Sequence, residues 1–142
     1  MLIEREGSLS RVPEAFGPVV EAARERIAGM FGDGRLHSAY LYGSIPRGTA
    51  VPGVSDLDLL LALRAEPTEA DRADARALGA GLDADFAQVD GAGVVLSSTE
   101  TLLSELERYD LGWFVALPVH TAARRGPRPE AARLRADLAA GP

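Results

Sequence analysis

Residues 41–61 read LYGSIPRGTAVPGVSDLDLLL, and this stretch decides the fold. It opens on the end of one apolar run, Leu36 to Tyr42, and closes on another, Leu57 to Leu63. Each run has the length of a strand. Between them lie Gly43, Pro46, Gly48, Pro52 and Gly53, residues that turn a chain rather than extend it. Pro52-Gly53 suits the two central positions of a type II turn. In the second run Leu57, Leu59, Leu61 and Leu63 alternate and share one face. Asp56 and Asp58 therefore share the opposite face, about 7 Å apart along the strand.

Two parallel carboxylates at the start of a leucine-rich strand are costly unless something neutralises them. A hard divalent cation such as Mg²⁺ is the expected partner, because it takes oxygen ligands and keeps room for phosphates. Two such ions can clamp the attacking and leaving oxygens of a phosphoryl displacement. Gly43, at the end of the first strand, lets the backbone bend and a ligand come close. Ser44 adds a backbone N–H and a hydroxyl, both suited to phosphate oxygens. The Pro/Gly-rich loop brings the chain back so that Ser44 and the aspartates face one cleft.

Gly43-Ser44, a spacer containing Arg47-Gly48, and Ser55-Asp56-Leu57-Asp58-Leu59 together resemble the signature of the DNA polymerase beta-like nucleotidyltransferase superfamily. The similarity is nearest to the prokaryotic minimal and aminoglycoside-type nucleotidyltransferases. It is tight over residues 41–61 and looser, in element order only, to about residue 122. The resemblance implies an α+β fold, a small mixed α/β sheet with helices packed on one side. It also implies transfer of a nucleoside monophosphate from a triphosphate, expected to be ATP, to a hydroxyl acceptor. On that likeness Gly43 and Ser44 contact the triphosphate, and Asp56 and Asp58 hold Mg²⁺ (two ions) or Mn²⁺. Arg47 and Ser55 are further nucleotide-binding candidates; a solvent-facing arginine and a turn-capping serine are the plainer alternatives. The third carboxylate usual in the family is expected to be Asp90, on the third strand, as metal ligand or general base. Its rivals, Asp83 and Asp85, fall at a helix end, in a solvated turn.

Outward from this centre, Val19, Val20, Ala23, Ile27, Met30 and Phe31 mark a helix beginning at Glu14 or Pro18 and ended by Gly32-Asp33-Gly34. Thr68-Glu69-Ala70-Asp71 predicts a capped helix to about Leu82. Phe86 to Leu96 reads as a third strand, interrupted at Gly91 and Gly93. Ser97-Ser98 caps a further helix bearing Leu102, Leu103 and Leu106. Leu111 to Val119, with Trp113 and Phe114, suits either a helix or a strand. His37 is expected to be a satisfied, partly buried side chain; His120 has no assigned role.

The chain has 142 residues and 46% apolar content, enough for one domain with a real core. Residues 1–122 are expected to form the nucleotidyltransferase domain and 123–142 an arginine-rich tail or short helix, Pro129 to Leu138. Without cysteine there is no disulfide, no thiolate-bound zinc and no thiol nucleophile. No membrane span and no apolar leader at the N-terminus predict a cytoplasmic protein. All fifteen basic residues are arginine. Residues 1–123 hold 10 arginines against 19 acids, a net charge of −9, whereas residues 124–142 hold 5 against 2, a net of +3. An acidic body disfavours duplex nucleic acid. The expected acceptors are a hydroxyl on a partner protein, such as a helical HEPN-type partner in a toxin–antitoxin module, or a small molecule such as an antibiotic. A homodimer that completes the acceptor pocket is a further expectation. The alternative of another class is a non-catalytic module that binds nucleotide or neutralises a partner.

Overall fold

The computed structural model describes residues 8–105 and 114–120. The expectations for the tail, for Leu106 and for Trp113 lie outside the described residues, as does the boundary at 122.

Two short 3-10 turns, Leu9–Arg11 and Glu14–Phe16, lead into helix α1, Gly17–Arg35. Pro18 sits in its first turn, where a missing N–H costs nothing. The buried stripe is Val19, Ala23, Ile27 and Phe31, a strict four-residue repeat. Met30, expected on that stripe, is exposed. Gly32, at φ +70°, breaks the regular helix where the sequence expects its end, and a further helical turn leads on to Arg35. There the Arg35 guanidinium stacks on Phe31, 4.6 Å from the ring centroid, and bonds Asp71 and Asp74 at 2.7 and 2.8 Å.

Strand β1 spans Leu36–Tyr42 and β2 spans Leu57–Leu63, the limits expected from the sequence. They pair antiparallel, with Tyr42 opposite Asp58 and Leu41 opposite Leu59. Helix α2, Ser44–Arg47, fills the start of the connection. Helix α3, Glu69–Asp85, opens with the reciprocal capping box: Asp71 N–H donates to Thr68 Oγ1 and Thr68 N–H donates to Asp71 Oδ2. It runs three residues past Leu82, so Asp83 and Asp85 are helical rather than in a turn.

Strand β3 is Ala92–Ser98, shorter and later than the expected Phe86–Leu96. Gly91, at φ +105°, stops extended pairing before Ala92. Asp90 therefore lies in the connection ahead of β3, not on it. Helix α4, Thr99–Ser104, is capped by Ser98, whose Oγ accepts from Thr101 N–H. Within the described part of the ambiguous apolar segment, Val115–Leu117 forms strand β4, antiparallel to β1.

The sheet order is β3-β2-β1-β4, with β2 and β3 parallel, so the sheet is mixed. The β2-α3-β3 crossover accounts for the parallel pair. One face, bearing Leu57, Leu59, Leu61 and Leu63, joins α1 and α3 in the main core. The other bears a smaller cluster of Tyr40, Leu60, Ala62, Leu102 and Ala116. Leu102 comes from α4, so helical packing is not confined to one side.

Candidate active site

The alternation of β2 decides where its acids point. Leu57 and Leu59 are completely buried against the helices, so Asp56 and Asp58 stand on the opposite, more open face. Asp56 is exposed and Asp58 is half-buried. Burial, and after it the neighbouring charge of Asp56, hold the Asp58 carboxyl above the usual carboxylate range. Neither acid has an arginine or histidine partner among the described residues. The site is thus a pair of uncompensated oxygen donors.

Gly43 brings the Ser44-bearing bend onto this pair. It adopts φ +84°, ψ −154°, a region closed to residues with a side chain. A Cβ there would overlap Asp58 Oδ2 and stand 3.4 Å from Asp58 Cγ. The bend and the second carboxylate are therefore in contact across the β1/β2 pair. Ser44 begins α2, whose buried Ile45 and Pro46 anchor the bend. Thr49 N–H donates to the Ser44 carbonyl at 3.1 Å and fixes the far side of the turn.

The remaining candidates separate. Arg47 is exposed at the end of α2. Ser55 is committed to its loop: its Oγ accepts from Val51 N–H at 2.8 Å, and its N–H donates to the Val51 carbonyl. Gly53 has the positive φ that a type II turn requires after Pro52. Asp90 is exposed, and its N–H donates to the Ser55 carbonyl. No three His, Cys, Asp or Glu side chains converge as a metal-binding group among the described residues. The hydrogen bond to Ser55 sets Asp90 beside the residue that precedes Asp56. Its rivals are structural: Asp83 accepts from Gly91 N–H at 2.8 Å, and Asp85 pairs with Arg26 at 2.7 Å.

The β3 residue level with Asp58 is Gly93, where a Cβ would lie 3.9 Å from Asp58 Oδ1. The position beside Asp58 on β3 thus carries no side chain. Sequence reading missed this because it followed acidic residues; only strand register points to Gly93. It also missed the ring stack beside the site. Tyr42, the cross-strand neighbour of Asp58, stacks on Phe114 at 4.9 Å. His120 lies elsewhere, bonded to Asp33 and to the His37 carbonyl near the opposite end of β1.

The two acids, the glycine bend and the mixed sheet agree with one further finding: the profile of the nucleotidyltransferase domain matches residues 21–126. The chain belongs to the nucleotidyltransferase domain family. The match takes in Gly43, Ser44, Asp56, Asp58 and Asp90 together. No curated protein matches this nucleotidyltransferase domain. Among its described residues, no helix is long and apolar enough to cross a membrane.

Proposed function

We propose that this domain binds a nucleoside triphosphate, ATP being the expected one, with Mg²⁺ and transfers its nucleoside monophosphate to a hydroxyl. The observation that carries the reading is the contact between the Gly43 bend and Asp58, which sets phosphate donors against unpaired carboxylates. The donor set suits the metal: two hard oxygens, no nitrogen or sulfur, and a neighbouring glycine that leaves the carboxylate accessible. Asp56 and Asp58 would hold Mg²⁺ or Mn²⁺, which when bound supplies charge stabilisation for the phosphates and the leaving group.

The chain's own residues do the rest by positioning. Gly43 admits the phosphates close to the backbone, and Ser44 donates its N–H and hydroxyl to their oxygens. The acceptor oxygen forms a bond to the α-phosphorus as the bond to the β-phosphate bridging oxygen breaks, and pyrophosphate leaves. The acceptor proton passes to solvent or to a carboxylate of the pair. Asp90, whose N–H donates to the carbonyl of the residue before Asp56, is the further carboxylate proposed to take the acceptor proton or a metal ligand place. The acceptor classes proposed are a hydroxyl of a partner protein, such as a helical HEPN-type protein, and a small molecule.

A second reading rests on a specific observation: the β3 residue paired with Asp58 is Gly93, which adds no carboxylate beside it. A nucleotide-binding module without turnover, acting on a partner, fits that arrangement. One experiment separates the two. Thermal unfolding is followed with Mg²⁺ and ATP, and α-labelled ATP is then offered with a co-expressed partner. Metal-dependent stabilisation with label transfer supports the transferase, and stabilisation without transfer supports the module. No response to Mg²⁺ and nucleotide together would reject both.

A further inference from the structure

Strand β3 and helix α3 leave an open sheet edge beside a groove. Among the described residues β3 is an outer strand, paired only with β2. Leu57 N–H donates to the Gly91 carbonyl. In the parallel ladder, odd-numbered residues of β3 thus turn their peptide groups toward β2, while Ala92, Val94 and Leu96 turn theirs outward. Outer strands are commonly blunted by charge or proline. Ala92–Ser98 contains neither. Helix α3 closes one end of this edge: a Cβ on Gly79 would lie 2.6 Å from the Ala92 carbonyl oxygen. A groove of about 520 Å³ lies between helix and strand, with Gly79 and Ala92 in its lining. Ala75, Val94 and Leu96 contribute its apolar lining, and Arg72 and Arg76 its charged wall.

The charges decide what the groove takes. Among the described residues Arg72 and Arg76 pair only with Glu69, at 3.7 and 3.4 Å, and all three side chains are more than half exposed. Such surface pairs are weak and exchange readily for a better-placed carboxylate. A second copy of the chain is a poor occupant. An antiparallel pairing about the open half of β3 would bring the Arg72 and Arg76 of both copies to one seam. We infer that the β3 edge and this groove bind an extended acidic segment of a partner protein by strand addition. Its backbone bonds Val94 and Leu96, one apolar side chain enters the groove, and its acidic side chains meet Arg72 and Arg76. Its test requires no transfer activity.

The probe is a fluorescein-labelled nonapeptide of alternating valine and glutamate, titrated against the full chain by anisotropy. Saturable binding is expected, with no binding of the same peptide carrying lysine for glutamate. Arg72→Glu with Arg76→Glu should weaken binding by about tenfold or more. Hydrogen exchange at the Val94 and Leu96 amides should slow when the peptide binds. Should the charge-reversed chain not fold, Arg72→Gln with Arg76→Gln takes its place, with the same direction expected. Failure of the glutamate peptide to bind, equal binding of both peptides, or binding indifferent to the arginines would overturn the inference. So would amides already protected without peptide, because a second copy or another segment of this chain would then hold the edge.

Discussion

Gly43 and Asp58 are locked together across the β1/β2 pair: the glycine has no side chain because Asp58 Oδ2 occupies the space a Cβ would need. Gly43→Ala meets two penalties, the overlap and a backbone conformation reserved for glycine. The substitution should cost about 1–3 kcal/mol of stability, read by denaturant unfolding. It should also remove the stabilisation given by Mg²⁺ with ATP, because the carboxylate must move. Unchanged nucleotide-linked stabilisation would show that the bend and the acid do not act as one site.

Asp58→Asn should raise the metal-free melting temperature at neutral pH while lowering transfer about a thousandfold or more. The sign follows from linkage. Burial and Asp56 raise the Asp58 pKa in the folded chain. Below the ordinary aspartate value of about 3.9 the group is protonated in both states and costs nothing. As pH rises through the raised native value, ionisation costs stability, and the loss persists at neutral pH. The advantage of the asparagine variant should therefore vanish toward acid, and Mg²⁺ should stabilise only the parent. Melting curves across pH, with and without Mg²⁺, check all three.

Gly93→Asp adds a carboxylate on the strand beside Asp58. With three acids together, the metal-free protein should be less stable than the parent. The melting-temperature shift caused by Mg²⁺ should be larger than in the parent. A gain in label transfer would mean that the missing side chain limits the chemistry; calorimetric Mg²⁺ binding no tighter than the parent's would mean that the register places the new acid wrongly.

Asp90→Ala should leave the nucleotide-linked stabilisation intact and change stability by no more than about 0.5 kcal/mol. The residue is exposed and engages its surroundings through its backbone N–H. Loss of Mg²⁺ binding in this variant would assign Asp90 a metal ligand place rather than the acceptor proton.

Gly79→Ala tests the packing that sets the sheet edge. The added methyl would press on the Ala92 carbonyl, so a loss of about 1–3 kcal/mol is expected in chemical denaturation.

Much of this was legible in the residues. The limits of β1 and β2, the capping box at Thr68 and Asp71, and the shared face of Asp56 and Asp58 follow from local rules of alternation and hydrogen bonding. Helix ends were partly legible: Gly32 breaks the helix as its sequence suggests, whereas the further turn to Arg35, whose guanidinium stacks on Phe31, carries no local signal. Leu111 to Val119 had no period that separates helix from strand. Pairing with Ala39, Tyr40 and Leu41 made its central residues β4.

The site divides in the same way. The amino-acid order alone placed two acids on one face and a glycine-serine bend within reach, because side-chain direction along a strand is a local property with a period of two. It also put Asp90 on the third strand. Tertiary structure decided which residue stands beside Asp58, since that depends on the register of β3 against β2, a contact between segments about thirty-five residues apart. That register put Gly93 next to the carboxylate pair and left Asp90 in the loop, and it gave β3 an open edge.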